Sequence, residues 1–165
     1  MEKSEKGMTP NSFMRDLNRI YLIMLVEMML FGSIALFTTI SWNFDLPSTE
    51  DTFLIAVPLL TFIGVVLGRV LYKKKLDTLI NEPSLKNKLT GYRVAIITKF
   101  ALANAPFLIA VVAVLLTSNI FYLMIAGTLV MYFITLKPTL SKVKRDLGLS
   151  VKMGLQLNDK NQLIN

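Results

Sequence analysis

The chain has 165 residues, 53% of them hydrophobic, with a formal net charge of +7 and a mean hydropathy of +0.55. That length fits about one domain, and the apolar share exceeds the roughly 45–50% usual in soluble chains. Cysteine and histidine are both absent, which excludes disulfides, thiolate and imidazole metal sites, cysteine nucleophiles and histidine acid–base chemistry. No metal and no cofactor is expected.

Residues 1–18 form a polar tail of mixed charge. It is too polar to open a signal peptide, and no small-residue cleavage site follows the first apolar run, so that run is expected to stay as a span. Four apolar runs follow: Arg19–Ser41, Thr52–Tyr72, Val94–Thr117 and Asn119–Leu136. At about 1.5 Å per helical residue each reaches the ~30 Å of a bilayer's hydrocarbon core. The fold class they predict is all-α, a polytopic membrane protein built as a four-transmembrane-helix bundle over residues 19–137. Residues 138–165 are then a basic, amphipathic tail.

Charge orients the bundle. The first loop, from Trp42 to Asp51, holds Asp45, Glu50 and Asp51 and no basic residue, and the turn at Ser118 and Asn119 is uncharged. The middle loop carries Lys73, Lys74, Lys75, Lys86 and Lys88, with Arg93 at its edge. Lys3, Lys6, Arg15 and Arg19 mark the N-terminal tail, and Lys137, Lys142, Lys144, Arg145, Lys152 and Lys160 the C-terminal one. Basic loops face the cytoplasm, so both termini are predicted inside (N-in/C-in). Arg69, Lys73, Lys74, Lys75 and Arg93 then meet anionic lipid headgroups. Nucleic acid is not an expected partner, because the basic run lacks interleaved aromatic residues.

Helix ends are also legible. Ser48 and Asp51 read as a capping box for the second span. Leu76, Leu79 and Ile80 continue its helical spacing beyond Tyr72. Pro83 and Ser84 turn the chain, and Gly91 reads as a further break.

Glu27, Arg69 and Lys99 are ionisable residues inside or at the edge of the spans. Glu27 lies about 12 Å past Arg19, and Lys99 about 9 Å past Arg93, counted at the helical rise. An unpaired charge near mid-helix costs about 2.5–3.5 kcal/mol on insertion scales, so an intramembrane ion pair Glu27–Lys99 is predicted. It would fix helix assembly. The alternatives are that Glu27 is a proton or cation site, that a partner protein supplies the counter-charge, or that Lys99 snorkels. Arg69, close to Lys73, reads as snorkelling to the headgroups.

Small residues point to close packing. Gly64 and Gly68 make a GxxxG pattern, within the monomer or between copies, and Ala95, Ala103, Pro106, Ala110 and Ala113 form a compact face. Pro106 is expected to kink the third span, and Asn104 to bond a neighbouring helix or the freed backbone.

In the tail, Leu140, Val143 and Leu147 fit a short amphipathic helix. Leu147, Leu149, Val151, Met153, Leu155 and Leu157 then alternate with polar or small residues, the pattern of a strand. Such a strand would dock on a partner's edge; the other readings are a disordered tail or a membrane-surface segment. No Walker loop, GxSxG, aspartate-rich metal run or dinucleotide fingerprint occurs.

The segment KPTLSKVKRDLGLS, with Pro138, Thr139, Asp146, Leu147 and Leu149, resembles the ending of four-span membrane proteins found in Bacteroidota. The likeness covers about the last third of the chain, and implies an inner-membrane location without an activity. The function expected is a non-catalytic accessory or scaffolding subunit of an inner-membrane complex, or a small homo-oligomer. Its partner would be another membrane protein or a second copy. The alternative is a small transporter or channel, proton-coupled through Glu27. An enzyme acting on lipid through Arg69, Tyr72 and Arg93 ranks third.

Overall fold

The structure, a computed structural model, describes residues 9–39 and 42–158, the side chain of Lys152 apart. Lys3, Lys6, Lys160 and the Ser41 end of the first run lie outside the described residues. These contain six helices: α1 Pro10–Thr38, α2 Thr52–Ile80, α3 Leu85–Thr117, α4 Ile120–Thr135, α5 Leu140–Asp146 and α6 Val151–Asn158.

Each long helix begins on a short polar side chain that satisfies a free backbone N–H. Thr9 caps α1 in a reciprocal box with Ser12, and Pro10 occupies the first turn, where its missing N–H costs nothing. Asp51 caps α2 by accepting from the Phe53 amide, while Ser48 supplies only a backbone carbonyl to the turn. The cap is therefore the aspartate itself, not the Ser48–Asp51 box. Ser84 caps α3, Asn119 caps α4 and Thr139 caps α5.

The helices α1, α2 and α3 are long and apolar enough to cross a membrane. Helix α4 has 16 residues, about 24 Å at the helical rise and so shorter than a ~30 Å core. It turns by 81° into α5 at Lys137–Pro138, and the bent pair together is long and apolar enough to cross. The molecule is thus an all-helical bundle with three spanning-length helices, or four counting the bent pair.

Helix α3 is its axis. Half of its most apolar stretch is buried, against 17% for α1 and for α2, because it packs on α1, α2 and α4. The compact face expected on α3 is buried throughout: Ala95, Ala103, Pro106, Ala110 and Ala113 all point inward. Helices α1 and α2 turn large apolar side chains outward, among them Ile23, Val26, Leu30, Ile55 and Phe62, as lipid-facing helices do. An apolar groove of about 540 Å³ runs between α2 and α4, lined by Pro58, Phe62, Met124 and Thr128.

One expected break is absent. Gly91 lies inside α3, and a Cβ there would fall 2.4 Å from the Leu79 side chain; the glycine admits α2 close to α3. Helix α3 also stays helical through Pro106. The Leu102 carbonyl, deprived of its partner by that proline, points at Gly64, whose added Cβ would meet it at 2.5 Å. Gly64 and Gly68 both face α3. The GxxxG pattern therefore serves packing within this chain.

The tail is not a strand. Gly148, at φ 53°, ends α5 in the left-handed conformation, and the Gly148 and Leu149 amides return to the Arg145 and Lys144 carbonyls, a Schellman stop. Ser150 then starts α6, accepting from the Met153 amide. Period-two alternation failed as a signal because residues four apart also satisfy it. Met153 and Leu157, four apart on α6, pack on the core with Leu149 just ahead of the helix, while Val151 and Leu155 are exposed.

Candidate functional site

Polar groups gather at three levels of the bundle. At one end the acidic loop is stitched to the α3–α4 turn. Asn43 exchanges backbone bonds with Ser118 and Ile120, and the buried Asn119 amide donates to the Asp45 carbonyl. The Tyr122 hydroxyl donates to Asp51 at 2.7 Å, tying α4 to the cap of α2. None of these partners was apparent from sequence, since each joins residues more than 70 positions apart.

The second level lies within the apolar zone. Asn104, 7% exposed, donates from Nδ2 to Glu27 Oε1 at 3.3 Å. Its own Oδ1 is buried and has no hydrogen-bond partner among the described residues. Glu27 is only half-buried, flanked on α1 by the exposed Ile23, Val26 and Leu30.

The predicted Glu27–Lys99 ion pair is not formed. Lys99 instead sets its ammonium over the Tyr72 ring, 4.4 Å from the centroid. The reason is register. Helices α1 and α3 run parallel, and Asp16–Arg93 and Glu27–Asn104 share one spacing of 77 residues. Arg93 is therefore level with Asp16 rather than with Arg19. Lys99 falls five residues short of Asn104, about 7.5 Å at the helical rise. Counting depth from the first basic residue of each span misjudged that step.

The third level is the basic end. Tyr72 donates to Asp146 Oδ2 at 2.7 Å, and Arg145 Nε approaches Asp146 Oδ1 at 3.4 Å. Tyr72, Tyr92, Lys99, Lys142, Arg145 and Asp146 line a cavity of about 120 Å³. Arg69 lies over the Tyr132 ring at 5.6 Å, and Lys73, Lys74 and Lys75 are exposed. Arg93 reaches Asp16 at 4.0 Å, both partly exposed, a geometry worth little in stability. Lys88, read as a loop charge, is buried and caps α2 by donating to the Ile80 carbonyl at 2.6 Å. Between these two levels Tyr21 stacks on Phe133 at 5.4 Å, tilts against Phe100, and donates to the Ile134 carbonyl.

No family model, curated protein or solved structure matches the chain. The geometry alone carries the functional reading. Among the described residues no cluster of His, Cys, Asp or Glu is arranged to hold a metal. Of the residues expected to dock a partner, Leu147 and Leu157 are buried in this chain's own core, Leu149 and Met153 pack against it, and only Val151 and Leu155 are exposed.

Proposed function

We propose that the protein is a non-catalytic accessory or scaffolding subunit of a bacterial inner-membrane complex, or a small homo-oligomer, and that the Glu27 face of α1 is its assembly surface. In this reading α4 with its bent continuation completes a fourth crossing, and both termini lie in the cytoplasm. The observation that carries it is Glu27: a half-buried carboxyl among exposed apolar side chains, met by one side-chain amide at 3.3 Å. Hydrocarbon leaves a carboxylate so placed under-solvated, and a polar or basic group from a neighbouring helix would relieve it. The sequence of the tail, with its likeness to Bacteroidota membrane proteins, supports the inner-membrane location.

The test is extraction of the tagged chain from its native membrane in mild detergent. The expected result is a discrete assembly for the natural protein that dissociates in Glu27→Leu. A monomer in both, equally folded, would refute the reading.

One observation favours the transport alternative. A protonated Glu27 would donate to the unpartnered Asn104 Oδ1 after a flip of the amide, giving a proton two stable hydrogen-bonded arrangements. Proton flux into liposomes that disappears in Glu27→Gln, with assembly intact, would replace the scaffold reading by this one.

A further inference from the structure

The cavity at the basic end belongs to no part of the assembly reading. It is closed by α2, α3, the end of α4 and α5, and its walls are two tyrosines and three cations against one carboxylate. The cations are differently employed. Lys142 is committed to protein, donating to the Thr135 and Lys137 carbonyls at 2.9 and 3.0 Å and neutralising the carbonyl end of α4. Lys99 is not: it donates to no acceptor among the described residues, its ammonium lying over the Tyr72 ring in the cavity it shares with the Asp146 carboxylate. Arg145 spends only Nε, at 3.4 Å, which leaves the outer edge of its guanidinium unused.

An ammonium drawn into a partly buried cavity without an acceptor is poorly solvated, and an anion is the group that would solvate it. The volume, about 120 Å³, is that of roughly four waters at ~30 Å³ each, room for a single tetrahedral oxyanion. Its place beside Arg69 and the exposed Lys73–Lys75 run sets it at the level where headgroups would lie.

We propose that this cavity binds a phosphate group, with Lys99 and Arg145 as its ligands and Tyr72 releasing Asp146 to make room. The negative Asp146 competes with the ligand for both Arg145 and the Tyr72 hydroxyl. The phosphate comes either from an anionic phospholipid headgroup or from a free phosphate in the adjoining aqueous phase.

The experiment uses the full chain in nanodiscs. In discs of phosphatidylcholine alone, labelled inorganic phosphate is titrated; in discs of phosphatidylcholine with phosphatidylglycerol, lipid retained by the protein is counted by native mass spectrometry. Saturable phosphate binding in the first identifies free phosphate, and selective retention of one phosphatidylglycerol in the second identifies the headgroup. Either signal is expected to weaken about tenfold or more in Lys99→Met and in Arg145→Gln, the order of one charge-assisted hydrogen bond. Lys86→Gln, which removes equal charge from an exposed side chain outside the cavity and the Lys73–Lys75 run, should leave it unchanged.

Asp146→Asn removes the competing charge and should tighten binding several-fold, a gain that damage to the fold would not give. Arg145 is 76% exposed, so its variant remains informative if Lys99→Met lowers folded yield. Absence of both signals in the natural protein, or equal weakening by Lys86→Gln, overturns the proposal.

Discussion

Glu27 and Asn104 sit level across α1 and α3, at the 77-residue spacing that also sets Asp16 opposite Arg93. The aromatic pairs Phe13–Tyr92 and Tyr21–Phe100 follow the same parallel course two residues further along α3. One register thus decides which polar group the half-buried carboxyl meets, and it chooses an amide over an ammonium. A double-mutant cycle on Glu27→Gln and Lys99→Met should therefore give additive losses, within about 0.5 kcal/mol. The cycle on Glu27→Leu and Asn104→Leu should show coupling of about 0.6 kcal/mol or more, as interhelical hydrogen bonds do. Reversible unfolding in mixed detergent micelles measures both.

The two glycines of α2 predict unequal costs. A Cβ on Gly64 meets the Leu102 carbonyl at 2.5 Å, and backbone cannot move aside cheaply, whereas at Gly68 the nearest atom lies at an ordinary 3.5 Å. Gly64→Ala should lose about 1–3 kcal/mol, and Gly68→Ala should stay within about 0.5 kcal/mol. Neither should alter the oligomeric state. Thermal unfolding and size-exclusion profiles in the same detergent provide the comparison, and a Gly68→Ala variant that falls apart into smaller species would return the motif to dimerisation.

The tail offers a test between neighbours. Leu157 is 1% exposed and Leu155 63%, so Leu157→Ala should undock α6 and speed amide exchange there, while Leu155→Ala leaves it unchanged. Gly148→Ala should behave like Leu157→Ala, because its left-handed φ of 53° costs an alanine about 1–2 kcal/mol. Hydrogen exchange read by mass spectrometry resolves the segment. Equal exchange in all three variants would return the tail to an undocked state.

What the sequence disclosed and what it hid follow from range. The three long apolar helices, the extension of α2 to Ile80 and the small-residue face of α3 were legible, because each rests on hydropathy or periodicity within one segment, whereas the starts of α1 at Pro10 and α3 at Leu85 precede the apolar runs. Partnerships across helices were not. Tyr72 with Asp146, Tyr122 with Asp51 and Glu27 with Asn104 each depend on relative register, which no local pattern encodes. The tail failed for another reason: a four-residue repeat is also an even one, so strand and helix share the same apolar positions. Gly148 followed by Ser150 was the signal available there, a helix stop succeeded by a helix start.

Orientation has a direct readout, since the chain has no cysteine to remove. In intact spheroplasts a membrane-impermeant maleimide should label Glu50→Cys at once and Lys74→Cys only after permeabilisation. The reverse order would invert the proposed topology.

The assembly role of Glu27 is tested most directly by a photo-crosslinking amino acid placed at Val26, beside it on the exposed face of α1, and for comparison at Ile55 on α2. Illumination in native membranes should join Val26 to one protein species, a second copy or a distinct subunit, and the adduct should vanish in Glu27→Leu. Lipid adducts alone at Val26, the same as at Ile55, would contradict an assembly surface on α1.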